Sequence, residues 1–482
     1  MRIFPRIGLN LPFEKRWNSI AYVSLMSILV CFSVAPSFGI IAISACVVIF
    51  FLFLVVFSIH DLNFGYYSMI VLGFLLAFID RATGSKFPLY SVIFLMPFAL
   101  FIFLIVRGVF HDQRLKIERH VIIYLYFLTI LYTIAQVFNP QMGSLMGWLS
   151  YFRQSMSVTA LLLVSLYLFK DLRSIRFFLR FLMGAIFITA LYGCIQQWIG
   201  LSASDRSWVY NDPRILDLFG LPGGGIRKFS FLTDPANFGT LMAAGVIATL
   251  ILSWESLYRK SKLMWGVSTV IIFCGMSYSG TRTASIMVVA GLSLYFVMTI
   301  YQKRTQMLAI GAGLLFLFIM NVPIYGNATI NRFKSAFKAP THDASLDVRL
   351  INREKIRPYI YNHPFGGGLN TAGSGGYKYN PHHFLASIPP DSSLVADLME
   401  TGWVGLFLQL SFLTVILAYA VHYYYRCRNM EIKTYYVIIA TTLFALGFIG
   451  AYAQYTLMTV PQIFLFIPFI AIVVKLHTFD IS

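Results

Sequence analysis

Apolar segments of about 20 residues recur along almost the whole chain, with shorter polar segments between them. Each apolar segment is long enough to cross a bilayer as a helix. The pattern therefore predicts about fourteen transmembrane helices. They centre on residues 19–35, 38–59, 64–79, 88–106, 120–138, 154–169, 176–199, 236–254, 263–278, 284–301, 306–322, 391–421, 434–453 and 459–474.

Two polar intervals are much longer than the rest, and both fall on the same side of the predicted stack of helices. They cover about residues 200–235 and 321–390. We expect the larger loop to be partly helical, and a loop of this length usually carries function. The predicted fold class is an all-α polytopic membrane protein. Its regions are residues 1–320 with the first eleven helices and the medium loop, the large loop 321–390, and residues 391–482 with the last three helices.

The composition agrees with this class. Hydrophobic residues make up 58% of the chain and charged residues only 12%. A single water-surrounded core could not bury so much apolar surface, so the soluble globular classes are excluded. The expected environment is the lipid bilayer, and no nucleic acid is expected as a partner.

Basic residues orient the predicted helices, because Lys and Arg near the ends of spans are retained on the cytoplasmic side. Loops with such residues alternate regularly with the other loops along the chain. We therefore expect both termini in the cytoplasm and the two long loops outside. The basic loops lie around residues 2–16, 107–119, 170–180, 259–262, 303–304, 426–433 and 475.

The outward loops nevertheless keep more basic than acidic residues. The positive-inside tendency should remove basic residues from this face, so those that stay need another reason. Binding of an anion is the simplest reason. Ordinary solvated loop charge remains the alternative for part of them.

Four polar residues stand out before the large loop. Arg153 is expected at the start of the sixth span, facing the bundle, although a snorkelling anchor is the alternative. Arg227 follows a run of glycines, and Asp234 before Pro235 reads as the N-cap of the eighth span. Arg282 lies in a short hairpin close to the bilayer, where a charge usually has a partner or a ligand.

The large loop contains a sequence typical of an amphipathic helix at residues 345–361. Arg349, Arg353 and Arg357 recur there at every fourth position, which places them along one face. Pro358 and the turn after it are expected to end this helix. For Arg353 and Arg357, contact with anionic lipid headgroups is the alternative to a role in a site.

The end of the large loop offers further candidates. Asp391 is expected as the N-cap of the twelfth span, and Glu400 follows within that span. His382 and His383 are adjacent, so they cannot share one helical face, and their spacing does not indicate a metal site. We expect no metal site in this chain.

Several short runs resemble motifs of the bacterial O-antigen polymerase and O-antigen ligase superfamily. The resemblance covers about residues 150–410, and the order and sidedness of the motifs carry it. The motifs are FLTDPANFG at 231–239, SGTRTAS at 279–285, the arginine helix from Arg349 with HPFGGG at 363–368, DSSL at 391–394 and ETGWVG at 400–405.

This resemblance implies a glycosyltransferase that needs neither metal nor cofactor. Its donor would be an undecaprenyl-diphosphate-linked glycan at the outer leaflet of the bacterial cytoplasmic (inner) membrane. By position, Arg282 and Arg349 match the diphosphate ligands of the family, and Asp234 matches its acidic-proline motif. Asp391 stands where ligases of the family show His followed by Asn, which favours a polymerase. The nearby pair of histidines keeps a ligase open.

The chemistry fits these residue types. Guanidinium groups can stabilise the negative charge that develops on a leaving diphosphate, and a carboxylate can take the proton of an attacking hydroxyl. The predicted catalytic residues are Arg282, Arg349 and Asp391. The predicted substrate-binding residues are Arg153, Arg227, Asp234, Arg353, His382, His383 and Glu400.

The expected substrates are lipid-diphosphate-linked donor and acceptor glycans of a surface polysaccharide, whether O-antigen, capsule or exopolysaccharide. A chain-length regulator and a flippase are candidate partners. One alternative function is an O-antigen ligase that transfers polymer to a lipid A core or another acceptor. A second is a lipid-linked oligosaccharide flippase, which we expect to carry charges along a path through the membrane and to show an internal repeat.

Overall fold

A computed structural model describes residues 57–58, 61–82, 84, 89–110, 118–221, 225–256, 258–322, 328–338 and 344–480. The predicted spans 19–35 and 38–59 lie outside these ranges, apart from two residues of the second. The described residues form helices joined by turns and irregular segments, which confirms the all-α class.

The helices are numbered here in chain order. They are α1 (Leu62–Ala82), α2 (Leu89–Phe110), α3 (Val121–Ala135), α4 (Leu145–Leu168), α5 (Leu172–Trp198), α6 (Ala203–Asn211), α7 (Pro213–Phe219), α8 (Pro235–Glu255), α9 (Arg259–Tyr278), α10 (Arg282–Thr299), α11 (Lys303–Asn321), α12 (Ala328–Ser335), α13 (Ala344–Asn362), α14 (Gly373–Tyr379), α15 (Ser393–Arg426), α16 (Met430–Phe444) and α17 (Ile463–Lys475). A π-helical segment, Ala445–Gly450, and one further turn extend α16 to Ala453.

Nine helices in the described part of the chain are long and apolar enough to span a membrane. They are α1, α2, α3, α5, α8, α10, α11, α15 and the extended α16. The predicted spans 154–169, 263–278 and 459–474 also form helices, but α4 and α9 are too polar and α17 is too short to satisfy the same criterion. The chain is therefore a multi-pass membrane protein, while the predicted number of fourteen spans is not confirmed by the described residues.

Loops that the charge pattern assigns to one side contact one another. On the side predicted to be cytoplasmic, Arg176 at the start of α5 pairs with Glu431 at the start of α16, with 2.6 Å between Nε and Oε1. On the other side, Arg81 at the end of α1 pairs with Asp205 of the medium loop, at 2.9 Å between Nε and Oδ1. These contacts agree with the predicted alternation of the loops.

Helix α8 forms the centre of the bundle. Of its most apolar window, 78% of the residues are buried, whereas only 6% are buried in the corresponding window of α11 at the periphery. Helices α5, α9, α10 and α16 pack around α8. The outward end of α8 therefore lies in the middle of the outward face, next to the ends of its neighbours.

Helix α15 is broken at Gly402, where φ is 67° and ψ is −163°. Residues other than glycine almost never adopt this backbone conformation. The break lets the backbone of the HPFGGG run dock on the helix, because Trp403 N donates to Pro364 O at 2.9 Å and Gly367 N donates to Met399 O at 2.8 Å. A Cβ atom on Gly402 would lie 2.0 Å from Pro364 O. Two of the large-loop motifs are thus held together by their backbones.

The outward end of α3 fixes this docked loop. Tyr132 OH donates to Thr401 O at 2.7 Å, and both Gln136 and Asn139 donate to Phe365 O, at 3.2 and 3.0 Å. Because α3 ends here, the break in α15 lies at the outward boundary of the bundle. Residues 393–401 consequently continue beyond this boundary towards the large loop.

Replacing Gly402 with alanine is expected to destabilise the protein. The substitution forces a side chain into a conformation that costs about 1–3 kcal/mol and into contact with Pro364. The apparent Tm in detergent, measured by the fluorescence of the seven tryptophans, should fall. Gly311→Ala is the matched control, since a Cβ atom there meets no heavy atom within 4 Å. Equal Tm values for the two variants would show that the break is not required.

Candidate active site at the outward ends of the helices

The segment between α16 and α17, residues 454–462, contacts the starts of three helices. Gln454 Nε2 donates to Thr283 Oγ1 of α10 at 3.1 Å, and Gln454 O accepts from Ser393 N of α15 at 3.1 Å. Thr459 Oγ1 donates to Asn237 Oδ1 of α8 at 2.8 Å. The N-termini of α8, α10 and α15 therefore converge on one segment. The dipoles of these helices favour negative charge there.

Asp234 is the N-cap of α8, as the sequence predicted. Its Oδ1 accepts from Ala236 N at 2.8 Å and Asn237 N at 2.9 Å. Its Oδ2 accepts from Thr233 Oγ1 at 2.8 Å and Asn237 Nδ2 at 2.6 Å. Both oxygens are thus used to fix the start of α8, and a substrate-binding role for Asp234 stays a prediction.

Arg227 packs on the turn between α9 and α10. Its Nε donates to Ser279 O and its Nη2 to Thr281 Oγ1, both at 2.9 Å. Arg282, half-buried, follows directly as the first residue of α10. Burial and the positive charges of Arg332 and Arg282 lower the pKa of Arg227 to about 10, while Asp234 opposes this shift. The structure thus brings together two arginines that the sequence predicted.

Arg332 of α12 is a third arginine at this turn, and sequence reasoning missed it. Its Nε donates to Gly280 O at 3.1 Å. The sequence around it shows neither a motif nor a repeat spacing like that of α13. The only available signal was its place in the outward loop.

The arginine helix of the large loop exists and is α13, but Pro358 does not end it. Pro358 lies inside the helix, which continues to Asn362. Arg357 is exposed, and its guanidinium lies 5.9 Å from the centre of the Tyr361 ring. The third arginine of the stripe therefore points along its own helix and does not join the first two.

Arg349 and Arg353 face the end of α16. Arg349 Nη1 donates to Ala453 O at 3.0 Å. The guanidinium of Arg353 lies 5.3 Å from the centre of the Tyr452 ring, and its Nη1 donates to Tyr452 OH at 3.4 Å. These two arginines thus join the segment that also contacts α8, α10 and α15.

Asp391 is not the N-cap of α15, and this prediction was wrong. The adjacent Ser392 caps the helix, because its hydroxyl accepts a hydrogen bond at the third helical position. Asp391 instead lies near Asn352, Arg349 and Arg353 of α13. Its Oδ2 is buried and has no hydrogen-bond partner among the described residues. Burial raises the pKa of Asp391, although the two arginines and Asn352 oppose that shift.

The three predicted catalytic residues are connected through two successive residues of the chain. Ala453 O binds Arg349, and Gln454 binds Thr283, the residue after Arg282. Gln454 O also binds Ser393, two residues after Asp391. Sequence reasoning missed Gln454, although a glutamine between two apolar spans was a usable signal.

Three other residues that the sequence predicted to bind substrate do not take part in the hydrogen bonds of Ala453 and Gln454. Arg153 is in the third turn of α4 and is exposed, so the expectation that it faces the bundle was wrong. His382 is exposed. His383 caps a short 3₁₀ helix, and its Nε2 lies 3.3 Å from Tyr359 OH. Burial and the nearby His363 lower the pKa of His383. A role of these residues in substrate binding stays a prediction.

Glu400 lies in the last turn of α15 before its break. Its Oε1 accepts from Ala372 N at 3.4 Å, and its own carbonyl oxygen accepts from Gly368 N at 2.9 Å. Glu400 thereby holds the backbone that follows the HPFGGG run. These contacts give Glu400 a structural role. A substrate-binding role for Glu400 stays a prediction.

Fold and site together define a multi-pass membrane protein with a basic site on one face. Residues 267–410 match the family model described as O-antigen ligase. The match confirms the resemblance to the O-antigen ligase and polymerase superfamily over this segment, which contains Arg282, Arg349 and Asp391. The family implies a membrane enzyme of glycosyl transfer that acts on lipid-linked substrates. No curated protein matches the chain significantly.

Replacing Gln454 with leucine should reduce activity about tenfold or more without loss of protein from the membrane. The change removes the hydrogen bond to Thr283, and small displacements of positioning groups can cost up to about 100-fold in rate. Surface polysaccharide made in cells and the membrane level of the tagged protein measure the two effects. Gln306→Leu, at an exposed position near the opposite ends of the helices, is the control. A wild-type amount of polymer from Gln454→Leu would show that the hydrogen bond between Gln454 and Thr283 is not required for activity.

Proposed function

We propose that this protein joins undecaprenyl-diphosphate-linked oligosaccharide repeat units into a surface polysaccharide. The observation that carries the proposal is the link from Arg349 through Ala453 and Gln454 to the start of α10 at Arg282. The reaction would take place at the outer leaflet of the cytoplasmic membrane, with both termini of the chain in the cytoplasm.

The two arginines would bind the diphosphate of the donor. In the transfer, the bond between the sugar C1 and the phosphate oxygen breaks, and negative charge grows on the leaving undecaprenyl diphosphate. Guanidinium groups held in place stabilise this charge, and their planar fork can make paired bonds to phosphate oxygens. The convergent N-termini of α8, α10 and α15 add to the positive potential at this place.

Asp391 would act as the general base. As the acceptor hydroxyl oxygen forms its bond to C1, its proton passes to the carboxylate. Asp391 suits this role because its Oδ2 is buried and has no donor among the described residues. Burial also raises its pKa, which makes it a stronger base than an exposed aspartate.

A polymerase is favoured over the alternatives by particular residues. Asp391 occupies the position where ligases of the family show histidine, and His383 is engaged with Tyr359 and with the backbone of Leu385. A flippase is disfavoured because the arginines of the site gather at the outward ends of the helices. Polymerisation would place a flippase before this enzyme and a chain-length regulator beside it.

Purified protein incubated with a lipid-diphosphate-linked repeat unit should produce a ladder of glycans. The reaction is run with and without a lipid A core acceptor, and with EDTA. A polymerase gives the ladder without the core acceptor, and extension continues in EDTA because guanidinium groups supply the positive charge. One-step transfer that requires the core acceptor would indicate a ligase. Strict dependence on a metal would contradict the proposed chemistry.

Arg282→Ala and Arg349→Ala should each abolish the ladder and leave the protein level in the membrane unchanged. Loss of a charge-assisted bond to the leaving group removes a large part of the transition-state stabilisation, about 100-fold or more in rate. Arg357→Ala is the matched control on α13, because Arg357 is exposed. Normal polymer from either variant would remove that arginine from the mechanism.

The pH profile should report Asp391. A general base works when it is deprotonated, so the rate should fall as the pH drops through the folded-state pKa of Asp391. Because burial raises this pKa, the fall should lie above the ordinary value for aspartate of about 3.9. Asp391→Asn should lose activity at every pH, since an amide cannot accept the proton. A variant that keeps the wild-type profile would assign the base to another group.

A further inference from the structure

Arg81, in the last turn of α1, is buried and binds three separate acceptors with its three guanidinium nitrogens. Its Nε donates to Asp205 Oδ1 of α6 at 2.9 Å. Its Nη1 donates to Leu232 O at 2.6 Å and its Nη2 to Ser230 O at 2.9 Å. One side chain therefore joins α1, the medium loop and the segment that leads into α8.

Stability alone is a weak explanation for the ion pair between Arg81 and Asp205. Both side chains are buried, and an apolar pair of similar volume is often as stable as a buried ion pair. An apolar pair could not donate hydrogen bonds to the two backbone carbonyl groups. Asp205 is itself held by α5, because Tyr192 OH and Gln196 Nε2 donate to its Oδ2 at 3.1 and 3.0 Å. Arg81 thus ties a backbone segment to a fixed carboxylate.

Ser230, one of the two residues that Arg81 binds through the backbone, has an unfavourable conformation with φ at 54°. Such a conformation persists only where the surrounding contacts enforce it. Ser230 N donates to Gln196 Oε1 at 2.8 Å, and Ser230 Oγ donates to Thr189 O at 2.6 Å. Arg81 binds the remaining polar group of Ser230, its carbonyl oxygen. The contact with Arg81 therefore helps to enforce the backbone turn before α8.

This turn leads directly to the start of α8 and from there to the candidate active site. Asp234, four residues after Ser230, caps α8. Asn237, in the first turn of α8, accepts from Thr459 Oγ1 at its Oδ1, at 2.8 Å, and from Gln462 Nε2 at its carbonyl oxygen, at 2.7 Å. Both donors belong to the segment between α16 and α17 on which the starts of α8, α10 and α15 converge. A displacement of the turn would therefore reach this segment.

We propose that Arg81 is a positioning residue of the candidate active site. By binding Ser230 O and Leu232 O, it sets the start of α8 and, through Asn237, the segment between α16 and α17. The inference rests on the proposed function for its activity measurement. Lysine cannot replace Arg81 in this role, because a single ammonium group does not have the planar fork that reaches three acceptors at once.

Arg81→Lys tests this role, because it keeps a positive charge beside Asp205. At a temperature well below the Tm of both proteins, kcat for chain extension should fall about tenfold or more, while KM for the repeat unit changes much less. Hydrogen exchange measured by mass spectrometry should show the amides of Ala236 and Asn237, which Asp234 binds, exchanging about tenfold faster or more. Arg206→Lys, at the exposed arginine next to Asp205, is the matched control and should change neither.

Wild-type kcat in Arg81→Lys, or unchanged amide exchange at the start of α8, would overturn the proposal. So would a loss of rate that disappears on cooling and follows the folded fraction, because Arg81 would then only stabilise the fold. If Arg81→Lys fails to reach the membrane, Arg81→Met with Asp205→Leu replaces the buried pair by apolar groups and should show the same faster exchange.

Failure of the proposed function is distinguishable from failure of this inference. A wild-type protein that does not extend glycans would refute the proposed function. The exchange measurement needs no substrate, so it would still decide whether Arg81 sets the start of α8.

Discussion

The outward face depends on the hydrogen bonds of Ala453 and Gln454 at the end of α16. These two residues bind the large loop through Arg349, the start of α10 through Thr283 and the start of α15 through Ser393. Backbone and amide groups make these bonds, so the positions of the charged side chains are set by groups that do not themselves titrate. These bonds therefore hold the helices that carry Arg282 and Arg349 to one segment of the chain.

The acidic and the basic side chains at this face have different roles. Asp234 and Glu400 use their oxygens to hold backbone N–H groups, which fixes the start of α8 and the loop after the HPFGGG run. Asp391 instead keeps one oxygen without a partner among the described residues. The arginines bind largely neutral oxygens where their contacts are described, and they leave positive potential for a ligand. A phosphate-bearing lipid is the ligand class that such a surface at a membrane boundary favours.

Hydropathy and basic residues were sufficient to predict the helical class and the sharing of one face of the bundle by Arg227, Arg282 and Arg349, because bilayer thickness and charge retention act on the local sequence. The N-cap at Asp234 could also be predicted, because helix capping depends on the local sequence. Two features could not be predicted: the break of α15 at Gly402, and the capping of α15 by Ser392 and not by Asp391. Both depend on the packing of the large loop against α15. Gln454 and Arg332 were also missed, because their importance comes from neighbours that are distant in sequence.

A cryo-electron microscopy structure of the protein with undecaprenyl diphosphate bound would show whether Arg282 and Arg349 bind the same ligand. We expect diphosphate oxygens within about 3 Å of the guanidinium groups of both Arg282 and Arg349, with Gln454 between the starts of α10 and α15. A structure in which these two arginines are too far apart to bind the same diphosphate would contradict this expectation. So would a diphosphate bound on the opposite face of the bundle.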